Sequence, residues 1–171
     1  MKEHSDTIEN LSKKEAIDKI RKIAEDTRIC MFTTKLEHIP LESRPMSTLR
    51  VDDEGNIWFF SDDISNKNFE IEQDARVQLF YGNPSKIEFM TIYGHAMITK
   101  DRDKINNLWH PMAKAWFTDK DDPSLSLIMV MPTYAYYWDT RQNKMISFLK
   151  IIGSMAGKKT DEDGVEGRLD V

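Results

Sequence analysis

Residues Glu88 to Thr99 alternate without a break. Phe89, Thr91, Tyr93, His95 and Met97 fall on one face, and Met90, Ile92, Gly94, Ala96 and Ile98 on the other. A period of two over that length reads as one long strand. Segments on both sides of it read the same way. Arg28–Thr34 carries Ile29, Met31, Phe32 and two threonines, residue types that suit a pleated surface. Arg44–Val51 and Ile57–Ser61 flank Asp52-Asp53-Glu54-Gly55-Asn56. Gly55 and Asn56 both tolerate positive φ, so this stretch predicts a hairpin turn. Arg76–Tyr81 is a further strand, ended by Gly82-Asn83-Pro84, and Ser126–Met131, Thr133–Asp139 and Lys144–Leu149 follow late in the chain.

Helices are few. Ser12-Lys13-Lys14-Glu15 reads as a capping box, with Leu11 and Ala16 placed for a hydrophobic staple. Ile17, Ile20, Ile23 and Ala24 then form a narrow stripe, which predicts a helix on the outside of a larger body. Ser65 caps a short helix through Gln73, and Asp101 opens a longer one that Pro111 kinks or divides. The fold class is therefore mainly β with peripheral α. It reads as an antiparallel barrel, closed or nearly closed, of about six strands. A doubly wound sheet is disfavoured, because strands and helices do not alternate regularly.

At 171 residues the chain suits one domain. We place it at 12–150, between a polar lead at 1–11 and a Gly- and charge-rich tail of low order at 151–171. The net charge of -5 argues against broad nucleic-acid binding. No apolar run approaches the ~18 residues that span a bilayer, so no membrane partner is expected. Met1-Lys2-Glu3-His4-Ser5-Asp6 lacks the apolar region of a secretory signal, which makes the cytoplasm the default location. Cys30 is the only cysteine, which excludes an internal disulfide and a Cys-rich zinc site. His4, His38, His95 and His110 are scattered, and no metal is expected. His95 reads as a hydrogen-bonded barrel histidine. Asp119, Asp121 and Asp122 read as a solvated loop, since no Gly-centred calcium loop surrounds them. No dinucleotide fingerprint, P-loop or nucleophile elbow is present. No side chain stands out as a general acid or base, so catalytic residues are unknown.

The positive signal lies in Ser61–Asn68. The aromatic run Trp58-Phe59-Phe60 ends at Ser61, and a helix opens near Ser65-Asn66-Lys67-Asn68. The first helical turn ordinarily favours acids, because its dipole end is positive. A lysine there, with the free N–H groups of a helix start, makes an anion site. The alternative is that Lys67 points to water or pairs with Glu70 or Glu72. Arg44 shifts the balance. In a hairpin that turns near Gly55, Arg44 falls at the same end as Ser61. Arg44 and Lys67 could then grip one phosphate, the first as a fork and the second as a point charge. Trp58, Phe60, Trp109, Trp116 and Trp138 supply flat apolar surface for a planar ring, or simply fill the core.

These residues resemble the flavin-binding split-barrel superfamily of pyridoxamine 5'-phosphate oxidase, in its bacterial general-stress-protein branch. The resemblance is carried by Arg44-Pro45-Met46, Trp58-Phe59-Phe60-Ser61, Ser65-x-Lys67, Val77-x-Leu79, Gly94, Leu108-Trp109-x-Pro111, Ala115-Trp116-Phe117, Asp121-Asp122-Pro123 and Tyr137-Trp138-Asp139. It implies an FMN-type split barrel working as a homodimer, with flavin at the subunit interface. It places Arg44, Pro45, Met46, Ser47, Phe60 and Ser61 along the cofactor. It places Asn66 and Lys67 at the phosphate, with only the lysine kept of a basic pair. Trp138, and the Trp116-Phe117 region, would reach the flavin from the other subunit. FMN is the expected cofactor, with FAD open as the alternative.

The departures concern substrate. Leu49 stands where the oxidases carry a phosphate-binding lysine, and Asp139–Lys144 does not supply their Arg-x-His element. Strand alternation predicts that Arg50 points away from the Leu49 face. The stress branch usually has a Glu where Tyr136 stands. Pyridoxamine phosphate oxidation is therefore not expected. An FMN-dependent oxidoreductase acting on another small molecule, or a flavin reservoir or redox sensor without turnover, fits better.

Overall fold

The computed structural model describes residues 13–139 and 144–148. The polar lead, the proposed cap at Ser12 with Leu11, the Arg141–Asn143 stretch and the tail from 151 lie outside the described residues. In chain order the elements are helix α1 (Lys13–Thr27), strands β1 (Ile29–Thr34), β2 (Glu42–Val51) and β3 (Ile57–Asp62), helix α2 (Asn66–Gln73), strands β4 (Arg76–Asn83) and β5 (Glu88–Thr99), helix α3 (Arg102–Leu108), a 3-10 turn (Pro111–Ala115), and strands β6 (Leu125–Asp139) and β7 (Lys144–Phe148). The strands pair antiparallel in the order β3-β2-β1-β4-β5-β6-β7, and β3 also pairs with β6. That last pairing closes six strands into a barrel, with β7 hydrogen-bonded to β6 outside the ring.

The barrel interior is filled by inward residues of every strand. Phe32, Ile57, Phe59, Val77, Leu79 and Ile92 are fully buried there, with the Phe32 and Phe59 rings edge to face at 5.4 Å. β5 keeps the alternation of its sequence: Met90, Ile92, Gly94 and Ala96 are buried, and Phe89, His95 and Met97 are exposed. His95 is thus an exposed residue packed against the Tyr93 ring rather than a barrel-interior one.

α1 lies on the outside, as its narrow stripe predicts, and turns that stripe onto the barrel. Ala16, Ile20, Ile23 and Ala24 join the main core. The barrel opening offers a narrow hole, and a narrow stripe is what fits it. The β2–β3 turn locks this end. Arg21 of α1 donates to the Val51 and Asp52 carbonyls, and Asp52 accepts from the backbone N–H groups of Glu54 and Asn56 and from the Trp58 indole. Gly55 takes the positive φ of the turn; Asn56 does not need it.

The late strands are continuous, against the expectation of two segments parted near Pro132. β6 runs straight through Leu125–Asp139, and the β5–β6 register shifts between Tyr93 and Gly94 where Pro132 sits. Proline cannot donate to the ladder, and a bulge removes the need for it to do so. α3 begins at Asp101, whose carboxylate accepts from Asp103 and Lys104 N–H. Pro111 divides it from the 3-10 turn, as expected. Both pieces cover the outer face of β3 and β6, burying Trp58, Leu125, Leu127 and Met129 in a second apolar cluster.

Candidate functional site

α2 closes the barrel end opposite α1, and the polar residues of interest collect under it. Its start is unusual. Ser65 occupies the N-cap, but its side chain makes no capping bond. The Ser65 hydroxyl instead receives Lys67 Nζ at 3.1 Å and meets the Ser61 hydroxyl at 3.3 Å. Ser61, buried on the inward face of β3, donates to Asn68 Oδ1 at 2.7 Å, and Asn68 Nδ2 donates to Ser126 at 3.1 Å. This buried polar chain fixes where the helix begins. The Asn68 N–H turns back to the Ser65 carbonyl at 3.0 Å; without a side-chain cap, the Asn66 and Lys67 N–H groups are the ones placed for an outside acceptor.

Arg44 enters from β2 on the same end and inward face. Its Nη1 donates to Thr34 Oγ1 at 2.6 Å and its Nη2 to Glu70 Oε2 at 3.1 Å. The Thr34 hydroxyl in turn donates to Glu70 Oε2 at 2.5 Å. Lys35 Nζ stands 3.3 Å from the other Glu70 oxygen. Burial holds the Lys67 ammonium below the ordinary lysine value, the Arg44 guanidinium adds to this, and Asp62 and Glu70 act against it. Arg44 and Lys67 are therefore close enough to feel each other. Burial pushes the Glu70 carboxyl up, but side-chain hydrogen bonding with Thr34, Glu42 and Lys35 and the charge of Arg44 together hold it below the ordinary carboxylate value.

The other expected residues divide into three groups. Pro45 and Ser47 are exposed on the outer face of β2, whereas Met46 is half-buried against the core and offers only its backbone outward. Asn66 is exposed and lines a cavity of about 310 Å³ with Lys35, Glu42, Phe69, Glu70 and Gln73. Phe60 turns outward and packs on Trp109 and Phe117, at 5.8 and 6.3 Å between centroids. Trp58 is buried and bonded through its indole to Asp52, so it offers no free surface. Trp116 is 71% exposed beyond the 3-10 turn, and Trp138 is half-exposed on the outer face of β6, edge to face with Tyr136. Neither tryptophan is brought to the Arg44–Lys67 end by the contacts of this chain. A larger cavity of about 430 Å³ lies on the outer sheet face, lined by Leu36, Leu41, Gln78, Phe80, Thr91 and Tyr134. It holds no charged group, so the chemistry concentrates at the smaller one.

Leu49 and Arg50 correct the simple alternation. The β2–β3 register shifts between Thr48 and Arg50, so Thr48 opposes Phe59 and Arg50 opposes Trp58. Trp58 faces outward, which puts Arg50 on the outer side with Leu49 rather than turned away from it. Thr34, Lys35, Glu42 and Glu70 were not singled out as a group by sequence. Glu70 appears there only as a partner for Lys67; it binds Arg44 and Lys35 instead.

Over residues 15–162 the chain matches the family model described as pyridoxamine 5'-phosphate oxidase like, and it belongs to that family. Its fold is shared with general stress protein 26 of Bacillus anthracis, at a TM-score of 0.64 and 24% identity over 72% of this chain and 93% of that one. It is equally like the general stress FMN/FAD binding protein of Xanthomonas citri, at a TM-score of 0.64 and 22% identity over 92% of this chain and 99% of that one. Among curated proteins, Protein bli-3 of Neurospora crassa is 26% identical over 126 residues, 68% of this chain, and the match spans 57% of the length of that relative.

Proposed function

We propose that this protein binds FMN, holding its phosphate with Lys67, the outer N–H groups of Arg44 and the open first turn of α2. The observation that carries the reading is a lysine held on the N-cap hydroxyl of a helix start, with Arg44 bonded to Glu70 one turn further along the same helix. A phosphate supplies the acceptor that such a start lacks. The Xanthomonas citri neighbour, described as binding FMN or FAD, has the same fold. Bound flavin would supply hydride and electron chemistry. The chain's own residues would bind the phosphate, orient the ring and screen it from water. We read the protein as an FMN-dependent oxidoreductase on a small molecule.

The same reading makes it a homodimer with flavin between the subunits. Met31 and Phe80 are cross-strand neighbours on the outer face, as are Phe89 and Trp138, and all four are more than one-third exposed. An apolar row of this kind suits the centre of an interface. Sedimentation followed at the flavin's visible absorption should show one species of twice the 20.0 kDa chain mass at micromolar concentration. A monomer carrying full flavin would refute the shared site. Stopped-flow reduction by NADH or NADPH, followed by reoxidation, separates an oxidoreductase from a reservoir or sensor: multiple turnovers support the enzyme.

Pyridoxamine 5'-phosphate should be a poor substrate. Leu49 is packed into the second apolar cluster and has no donor for a dianion. Arg50 lies on that side, opposite Trp58, with Lys104 stacked over the Trp58 ring at 4.8 Å. Losing the lysine's charge-assisted contact removes about 1.5–3 kcal/mol of binding, or roughly one to two orders of magnitude in affinity. Peroxide release under oxygen should therefore show no micromolar Michaelis constant. A micromolar constant that is lost in Arg50→Ala would show that Arg50 has taken over the lysine's task.

A further inference from the structure

We propose that Asn68 is a positioning residue of the flavin-phosphate site: its amide takes the hydroxyl proton of Ser65, so that the Ser65 oxygen holds the Lys67 ammonium in place for a phosphate. This rests on the flavin-phosphate reading above. Asn68 is 1% exposed, and its amide is locked from both ends. The Ser126 hydroxyl of β6 donates to the Ser61 carbonyl at 2.9 Å. Its proton is thus spent, and it meets Asn68 as an acceptor, at 3.1 Å. That sets Nδ2 toward Ser126 and Oδ1 toward β3 and the helix start. Oδ1 accepts from the Ser61 hydroxyl at 2.7 Å and from the Ser65 hydroxyl at 3.3 Å. The Ser65 oxygen also lies 3.3 Å from Ser61 Oγ, so both partners for its proton belong to the buried chain. An ammonium has three donors and no acceptor. Lys67 Nζ, 3.1 Å from the Ser65 oxygen, can only donate to it.

Each link serves the cation at the far end. A lysine stem is flexible and loses much rotamer freedom when its head is fixed. Here that loss is taken at folding, because Ser65 already holds one of the three ammonium donors. The same route accounts for the missing cap. A serine at the N-cap ordinarily accepts from an N–H of the first turn. Ser65 makes no such bond and accepts from Lys67 instead. Asn68 acts on the phosphate through Ser65 and Lys67, so its removal should lower affinity for a phosphate-bearing flavin and spare the ring. A residue that merely braces α2 against β3 and β6 would, when removed, disturb ring and phosphate alike.

The experiment titrates FMN and riboflavin, followed by flavin fluorescence, into the wild type, Asn68→Ala, Lys67→Ala and the double variant. Asn68→Ala should weaken FMN about three- to tenfold, the worth of one long side chain ordered in advance, and leave riboflavin within about twofold. In the Lys67→Ala background the same change should leave FMN within about twofold, because the residue through which Asn68 acts is gone. Ser126→Ala removes the acceptor that locks the amide. It should give the same pattern with a smaller loss, of about threefold, and it decides the matter if Asn68→Ala does not fold. Equal losses for FMN and riboflavin, an unchanged FMN affinity, or an FMN loss as large without Lys67 as with it would overturn the proposal and leave Asn68 a structural residue. If the wild type binds FMN no more tightly than riboflavin, the flavin-phosphate reading itself falls and this proposal with it. If it binds FMN more tightly and the variants fail as described, only this proposal falls.

Discussion

Replacing Lys67 by alanine is expected to weaken FMN binding by about tenfold to a hundredfold and to leave riboflavin nearly unchanged. Three features of the site give that size. Lys67 sits at the first turn of α2, where the helix already favours an anion. Its Nζ is held by the Ser65 hydroxyl and so is ordered in advance. Arg44, the other cation, is largely engaged by Thr34 and Glu70, so it cannot make up the loss. Calorimetric titration of both ligands into both proteins makes the measurement. Equal losses for FMN and riboflavin would mean that Lys67 shapes the ring site and does not hold a phosphate.

Gly94→Ala should be the most damaging single substitution for the fold. A Cβ built at Gly94 lies 2.3 Å from the Met131 carbonyl oxygen and 3.1 Å from the Pro132 Cα. Both are backbone atoms of the neighbouring strand, so no rotamer change relieves the overlap. They also belong to the β5–β6 bulge, in a pairing that runs the whole length of β5. Overpacking of this kind destabilises by about 3 kcal/mol or more. For a domain of this size that lowers the melting temperature by roughly 6–12 °C. An unchanged melting temperature and denaturant midpoint would show that the bulge relaxes freely.

Much of this was legible in the chain. The two faces of Glu88–Thr99 appear in the structure as the sequence orders them, because a closed sheet preserves strand alternation. The arrival of Arg44 at the Ser61 end followed from one hairpin whose turn Gly55 marks. The failures share a cause. Pro132 looks like a strand end until its neighbour supplies a bulge, and the position of Arg50 depends on a second bulge that no local residue announces. Glu70 is bonded to Thr34 and Arg44 across sequence separations of 36 and 26 residues. That contact exists only once α2 is seated on the barrel end, and helix periodicity alone does not give the seating.

The central claim is that this barrel holds a flavin through its phosphate. The most direct measurement is a visible-absorption titration of the purified, flavin-stripped full chain with FMN, set beside the same titration with riboflavin. We expect a saturable shift of the flavin bands at about one FMN per chain with micromolar or tighter affinity, and riboflavin weaker by about tenfold or more. No spectral change with either ligand, or equal affinity for the two, would contradict the account.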